Sequence, residues 1–173
     1  TLNEGHMLWL AAGFPSTSLG WGMAVHPRVD IGVYGQIVYT SPADVSDSTI
    51  GFGGGGGIST RIGLIQGRIA AALVLEFDAT VHSPGSETLA LLNLGSPALH
   101  FSFRIRNSLA LHAAIRADLR FLTEPQNFMW GVEVGGGITG RLTLRLFLFC
   151  TAFYGPTVTG TERNGTVALE VLV

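Results

Sequence analysis

Apolar and polar residues alternate one by one along most of the chain, and residues 109–121 give the clearest example. One set of alternating positions there is entirely apolar, whereas the other contains His112, Arg116, Asp118 and Arg120 together with alanine. Successive side chains of a β-strand point to opposite faces, while a helix would mix the two sets. The pattern therefore predicts a strand with one apolar and one polar face.

The same alternation, broken at turn residues, predicts about ten strands, with about eight as the alternative count. The strands are expected near residues 5–14, 19–26, 29–40, 50–62, 67–81, 98–106, 109–122, 127–139, 142–154 and 165–173. Short turns are expected at 26–28, 62–67, 106–108 and 139–141, and longer loops at 41–49, 82–97 and 155–164. An even number of strands then puts both ends of the chain on the short-turn side. In bacterial outer-membrane barrels that side faces the periplasm.

Alternation alone does not decide which face points into a barrel, because a soluble barrel has the same period with its apolar side inside. A small barrel, however, has no room for several large apolar side chains from nearly every strand. The opposite face is rich in small residues such as Gly53, Gly55 and Gly57, which suit a narrow lumen. We therefore predict a single-domain, all-β, up-and-down transmembrane barrel over residues 1–173, with its apolar face toward lipid.

The composition agrees with a membrane barrel. Charged residues make up 13% of the chain, against about 25% in soluble proteins, and the mean hydropathy is +0.41. No uninterrupted apolar stretch reaches the length of about 18 residues that a membrane helix needs. The net charge of −2 argues against nucleic acid as a partner. A single Cys150 excludes an internal disulfide, the Cys and His spacing gives no zinc signature, and we expect no cofactor.

In architecture, although through no specific motif, these alternating segments resemble the small porin-like outer-membrane barrels of Gram-negative bacteria. The resemblance implies a location in the bacterial outer membrane and contact with its lipid. The last segment, in which Val167, Leu169 and Val171 alternate with other residues, resembles the C-terminal assembly signal of such barrels. That signal normally ends in an aromatic residue, where this chain has Val173.

Charged side chains on the predicted inward face are expected to pair across strands, because an unpaired charge in a narrow lumen is costly. This lumen charge network comprises Arg61, Arg68, Glu76, Asp78, Arg104, Arg106, Arg116, Asp118, Arg120, Glu133, Arg141, Arg145 and Glu170. A salt-bridged plug is the favoured interpretation. A narrow passive channel that weakly favours anions is the alternative.

Aromatic residues are expected to form a girdle at the loop ends of the strands, where lipid headgroups meet water. The predicted girdle comprises Phe14, Trp21, Tyr39, Phe52, Phe77, Phe101, Phe121, Phe128, Trp130 and Tyr154. Ordinary strand preference for aromatic residues is the alternative explanation.

The predicted loop 82–97 is more apolar than a solvated loop should be. Its leucines, Leu89, Leu91, Leu92 and Leu94, lie between turn residues at Pro84-Gly85 and Gly95-Ser96-Pro97. They could extend the barrel wall, which is the favoured interpretation, fold over the mouth of the barrel, or contact another envelope protein. We expect a partner chain or lipid, rather than water, to cover them.

Taken together, these features predict a structural or anchoring component of the cell envelope, without enzymatic activity, within a larger assembly. The channel is the second hypothesis. A hydrolase at the barrel lip is the third, because His100 and Ser102 share the inward face with Glu76 and Asp78 of the preceding strand, and these residues could supply a base, a nucleophile and an orienting carboxylate.

Overall fold

The structure, a computed structural model, describes residues 5–14, 16–39, 52–83, 89–123, 127–141, 147–159 and 162–172. These residues form ten strands: β1 (His6–Phe14), β2 (Ser16–His26), β3 (Val29–Val38), β4 (Phe52–Ile65), β5 (Ile69–Ser83), β6 (Leu89–Arg106), β7 (Leu109–Leu122), β8 (Asn127–Arg141), β9 (Phe147–Thr159) and β10 (Glu162–Leu172). Within the same ranges, no helix is long and apolar enough to cross a membrane.

The strands form a closed antiparallel barrel. Each strand pairs with its neighbours in sequence, and β10 pairs with β1 to close the sheet. One end of the barrel, the short-turn end, carries the connections at 27–28, 66–68 and 107–108. The opposite end, the loop end, carries those at 39–51, 84–88 and 123–126. The predicted all-β, up-and-down barrel of about ten strands is confirmed.

Compared with a soluble protein, the barrel has the reverse distribution, with apolar side chains on its outer surface and polar side chains inside. Among the outward side chains Leu8 is 72% exposed, Phe52 70% and Ile69 60%. The polar side chains of Ser96 and Glu133 are only 1% exposed, on the inward face. Water is a poor solvent for so extensive an apolar surface, whereas lipid suits it. The architecture is that of an outer-membrane β-barrel.

Strand β6 begins at Leu89 rather than near residue 98, so the assignment of 82–97 to a long loop is wrong. The residues interpreted as a turn form an irregularity inside the strand: Gly95 has a φ of 93°, and the pairing with β7 shifts between Asn93 and Ala98. Strands β9 and β10 likewise extend to Thr159 and from Glu162, into the predicted loop 155–164.

The leucines of the predicted partner loop therefore belong to the barrel wall. Leu91 points into the lumen and is 3% exposed, whereas Leu92 and Leu94 point outward and are 36% and 52% exposed. The side chain of Leu89 lies outside what the structure describes. The position of Leu92 and Leu94 on the lipid-facing wall explains their apolar character without a partner protein.

The glycine run of β4 brings two strands unusually close together. A Cβ at Gly53 would lie 2.8 Å from Cγ of His82, and one at Gly57 would lie 2.5 Å from Cβ of Asp78, both on β5. No side chain larger than hydrogen fits at either position. The inward glycines thus permit the close packing of β4 against the side chains of β5.

Candidate functional site

The loop-end half of the lumen contains hydrogen-bonded polar side chains from five strands. We call this set the polar layer. Its members are Tyr34, Gln36, Asp78, Asn93, Ser96, Arg116, Asp118, Arg120 and Glu133.

Asp78 is the acceptor at the centre of one part of the layer. Tyr34 Oη donates to its Oδ2 at 3.1 Å, Asn93 Nδ2 donates to the same oxygen at 2.9 Å, and Gln36 Nε2 donates to Oδ1 at 3.4 Å. Tyr34 and Asp78 lie on β3 and β5, and the residue between them on β4 is Gly57. Because glycine has no side chain, Tyr34 can reach over β4 to the carboxylate.

The side chains of Asn93 and Ser96 form hydrogen bonds across the irregularity in β6. Asn93 Oδ1 accepts bonds from the backbone nitrogens of Gly95 and Ser96, at 3.2 and 3.0 Å, and from Ser96 Oγ at 2.8 Å. The Ser96 hydroxyl also accepts a bond of 2.9 Å from the backbone nitrogen of Leu119 on β7. Side-chain groups thus replace the backbone pairing that is lost where the register shifts.

Two arginine–carboxylate pairs complete the layer. Arg116 Nε donates to Glu133 Oε2 at 2.9 Å, between facing positions of β7 and β8. Arg120 Nε donates to Asp118 Oδ1 at 2.8 Å, two residues away on the same face of β7. The side chains of Glu133 and Asp118 are 2% and 3% exposed, so both carboxylates are buried. An arginine donates a charge-assisted hydrogen bond to each of them.

Most inward side chains described between the polar layer and the short-turn end are half-buried. Arg61 lies on the inward face of β4, opposite Asp30 of β3, and its side chain is exposed. His100 and His112 are half-buried, and both interact electrostatically with Arg61. The His112 Nε2 and Thr139 Oγ1 atoms lie 2.5 Å apart. We call this half of the lumen the vestibule.

Several predicted members of the lumen charge network lie elsewhere. Arg68 is exposed at the short-turn end, with its guanidinium 5.2 Å from the centre of the outward-facing Phe103 ring. Its assignment to the lumen is wrong, because Gly67 has a φ of 144° and the alternation of β5 begins only at Ile69. Arg104 and Arg106 are also exposed near that end. Arg145, and the side chains of Arg141 and Glu170, lie outside the described residues.

The predicted aromatic girdle is only partly at the loop end. Phe121 lies next to the last residue of β7. Four outward rings also lie near the loop ends of their strands: Tyr39, Phe52, Phe128 and Trp130. Phe77 lies farther from the end of β5. The side chains of Phe14 and Tyr154 lie outside the described part.

Two of the predicted girdle positions are wrong. Trp21 lies in the middle of β2 and stacks on His6 at the short-turn end of β1, with ring centres 5.3 Å apart. Phe101 lies in the short-turn half of β6, because that strand begins at Leu89.

The residues of the hydrolase hypothesis are not brought together. The register puts Asp78 opposite Asn93 and His100 opposite Ala72. Along the strands, the position of His100 is thus about 20 Å from Asp78 and about 13 Å from Glu76, at about 3.3 Å per residue. Ser102 lies still closer to the short-turn end, away from the end of the barrel that carries the long loops.

Tyr34, Gln36, Asn93 and Ser96 are the layer residues that sequence reasoning missed. Tyr34 and Gln36 alternate with the apolar residues of β3, so the period of two could have placed them on the inward face. Asn93 and Ser96 carry no such signal, because the irregularity at Gly95 breaks the alternation between them.

No protein-family model matches the chain, and the search of curated proteins found no match either. Among solved structures, the chain is similar to the outer membrane protease OmpT from Escherichia coli. The identity is 7%, the TM-score is 0.48, and the match covers 98% of this chain and 90% of the protease. At this identity the likeness concerns the fold alone, and no residue or activity is carried over.

The comparison nevertheless corrects one expectation. The prediction that the chain is not an enzyme does not follow from its barrel fold, since an outer-membrane barrel of similar fold is a protease. A barrel architecture without a recognised catalytic motif is therefore not a reason to exclude catalysis.

Proposed function

We propose that the protein is an integral outer-membrane barrel with a structural or anchoring role in the cell envelope, and that the polar layer closes its lumen. The observation that carries this proposal is the burial of the layer. Asn93, Ser96, Asp118 and Glu133 are 8%, 1%, 3% and 1% exposed, although all four point into the lumen. Among the described residues, side chains this inaccessible support a closed lumen.

The outward surface supports the membrane part of the proposal. Its large apolar side chains are exposed on all eight strands whose side chains are described, β1 to β8, including Leu8 on β1 and Val134 on β8. In water, an apolar surface that encircles a protein would lead to aggregation. In a bilayer, the apolar chains of the lipids contact this surface in place of water.

A narrow channel that weakly favours anions is the second candidate. The exposed Arg61 side chain in the vestibule supports it, because this cation meets any anion that enters from the short-turn end. The buried polar layer opposes it.

Conductance in planar bilayers tests the proposal. We expect the wild-type barrel, verified as folded by heat-modifiable gel migration, to show no steady current. The double variant Arg116→Ala/Glu133→Ala removes both members of one ion pair from the layer and should give steady current steps. The matched control Arg61→Ala removes a vestibule charge and should remain silent. Steady, anion-selective current through the wild-type barrel would favour the channel instead.

A further inference from the structure

The outer wall carries an apolar groove near the short-turn end. Outward side chains of three neighbouring strands line it: Ile69 of β5, Phe101 and Phe103 of β6, and Leu111 and Ala113 of β7. Phe103 pairs with Ile69 on one side and with Leu111 on the other. The groove therefore lies where the three strands run side by side on the lipid-facing surface.

The small side chain of Ala113 explains why the wall is indented here. Phe101 lies between Ala71 of β5 and Ala113 of β7. Ala71 is covered by its neighbours and is 5% exposed, whereas Ala113 remains exposed. A small residue flanked by Phe101 and Leu111 leaves a depression with apolar walls and Ala113 as its floor.

Arg68 lies at the short-turn edge of this groove. Its guanidinium is 5.2 Å from the centre of the Phe103 ring, and its Nε donates to the backbone oxygen of Arg104 at 3.4 Å. The aromatic ring and the carbonyl hold the guanidinium in place. An arginine held beside an apolar surface is suited to bind a phosphate, through its planar set of N–H donors.

The charges around this edge have one sign. In the part of the chain that the structure describes, the exposed charged residues at the short-turn connections are Arg28, Arg68, Arg104 and Arg106. The acidic residue of that region, Asp30, is buried in the lumen and 7% exposed. The potential at the headgroup level beside the groove is therefore positive.

We propose that this groove binds one anionic phospholipid of the periplasmic leaflet. One acyl chain lies along Phe101, Leu111 and Ala113, and the phosphate contacts Arg68, with Arg104 nearby. The site rests on the proposed membrane location, since only a barrel embedded in lipid presents this groove to an acyl chain. Charge complementarity selects an anionic headgroup over a zwitterionic one.

A second groove on the wall provides an internal comparison. It is lined by apolar and small residues of β2, β3 and β4, including Trp21, Ile31, Val33 and Ile58, and no charged residue lines it among those described. It offers an acyl chain similar walls without a cation. Thr60 lines this second groove, so Thr60→Phe fills it without affecting the first.

Lipid retention tests the site. The barrel is inserted into vesicles of phosphatidylcholine mixed with phosphatidylglycerol and extracted in non-ionic detergent, and its bound lipids are counted by mass spectrometry. We expect wild type to retain phosphatidylglycerol selectively. Arg68→Gln should reduce this retention about fivefold, the effect of one arginine near an anionic lipid. Ala113→Phe, which fills the groove, should also reduce it. The controls Arg28→Gln and Thr60→Phe should retain as much as wild type.

Each result decides one point. Equal retention of the two lipids, or an equal loss with Arg28→Gln, would show that only the overall charge of this end attracts lipid, and the site would be rejected. Full retention by Ala113→Phe would likewise reject the groove as the acyl-chain site. A barrel that inserts and retains no phosphatidylglycerol overturns this inference alone. Failure to insert into vesicles of any composition overturns the proposed membrane function.

Discussion

Arg116 and Glu133 face each other across β7 and β8, and their ion pair is among the most deeply buried in the lumen. The Glu133 side chain is 2% exposed, and its Oε2 accepts from both Nε and Nη2 of Arg116, at 2.9 and 2.5 Å. A carboxylate in such surroundings depends on its partner, because water cannot solvate it. The pair therefore links the stability of the barrel to the closure of its lumen.

Removing one member of this pair should destabilise the barrel strongly. We expect Arg116→Ala to lower the free energy of unfolding by about 3 to 5 kcal/mol, because it leaves Glu133 as a buried, uncompensated charge. The double variant Arg116→Ala/Glu133→Ala should cost less than the single one. Urea-dependent refolding into lipid vesicles measures both. Arg106→Ala, at an exposed position, serves as control, and a single variant as stable as this control would contradict the prediction.

Outward positions should tolerate charge according to their depth in the membrane. Ile115 is 45% exposed on the outward face in the middle of β7, whereas Leu92 lies near the loop end of β6. We expect Ile115→Arg to cost about 2 to 4 kcal/mol, and Leu92→Arg about 0 to 1 kcal/mol, in vesicle refolding. Equal costs for the two variants would mean that Ile115 does not lie nearer the middle of the bilayer than Leu92.

The strand pattern was predictable from the sequence because a lipid-facing wall requires strict alternation. In β7, one face meets lipid and the other meets the lumen, so residues 109–122 show the period of two without interruption. The start of β6 was not predictable in this way. Gly95, Ser96 and Pro97 look like turn residues, yet Asn93 and Ser96 supply side-chain bonds that keep the strand continuous through them.

The members of the polar layer were only partly predictable from the alternation of the sequence. Alternation places Arg116, Asp118 and Glu133 on the inward face, but it gives no information on depth or on partners. It also fails in turns, which is why Arg68 was expected in the lumen and lies instead against Phe103 on the outer wall. The contact of Tyr34 with Asp78 depends on the space over Gly57, which is a property of three strands together.

Gly57 and Gly54, which lie on opposite faces of β4, should differ in their tolerance of a side chain. A Cβ at Gly57 would meet Cβ of Asp78 at 2.5 Å, whereas a Cβ at Gly54 would be 3.7 Å from its nearest neighbour, the Gln36 carbonyl oxygen. We expect Gly57→Ala to destabilise the barrel by about 1 to 3 kcal/mol through overpacking. Gly54→Ala should change stability by less than about 0.5 kcal/mol. The comparison is made by vesicle refolding, and similar values for the two variants would rule out close approach of β4 and β5 as the reason for the glycine run.

Ser96 should be essential to the continuity of β6, because its hydroxyl joins two strands at the point where their backbone pairing shifts. It is 1% exposed, donates to Asn93 Oδ1 at 2.8 Å and accepts from the Leu119 nitrogen at 2.9 Å. Ser96→Ala leaves the Leu119 N–H buried without its acceptor, a loss of about 1 to 3 kcal/mol. Ser102→Ala, a half-buried serine on the same strand and face, should cost less. Amide hydrogen exchange adds a local measurement: the Leu119 amide should exchange faster in Ser96→Ala while the Leu111 amide keeps its protection. Unchanged exchange at Leu119 would mean that the backbone of β6, and not the serine hydroxyl, holds the two strands together at this point.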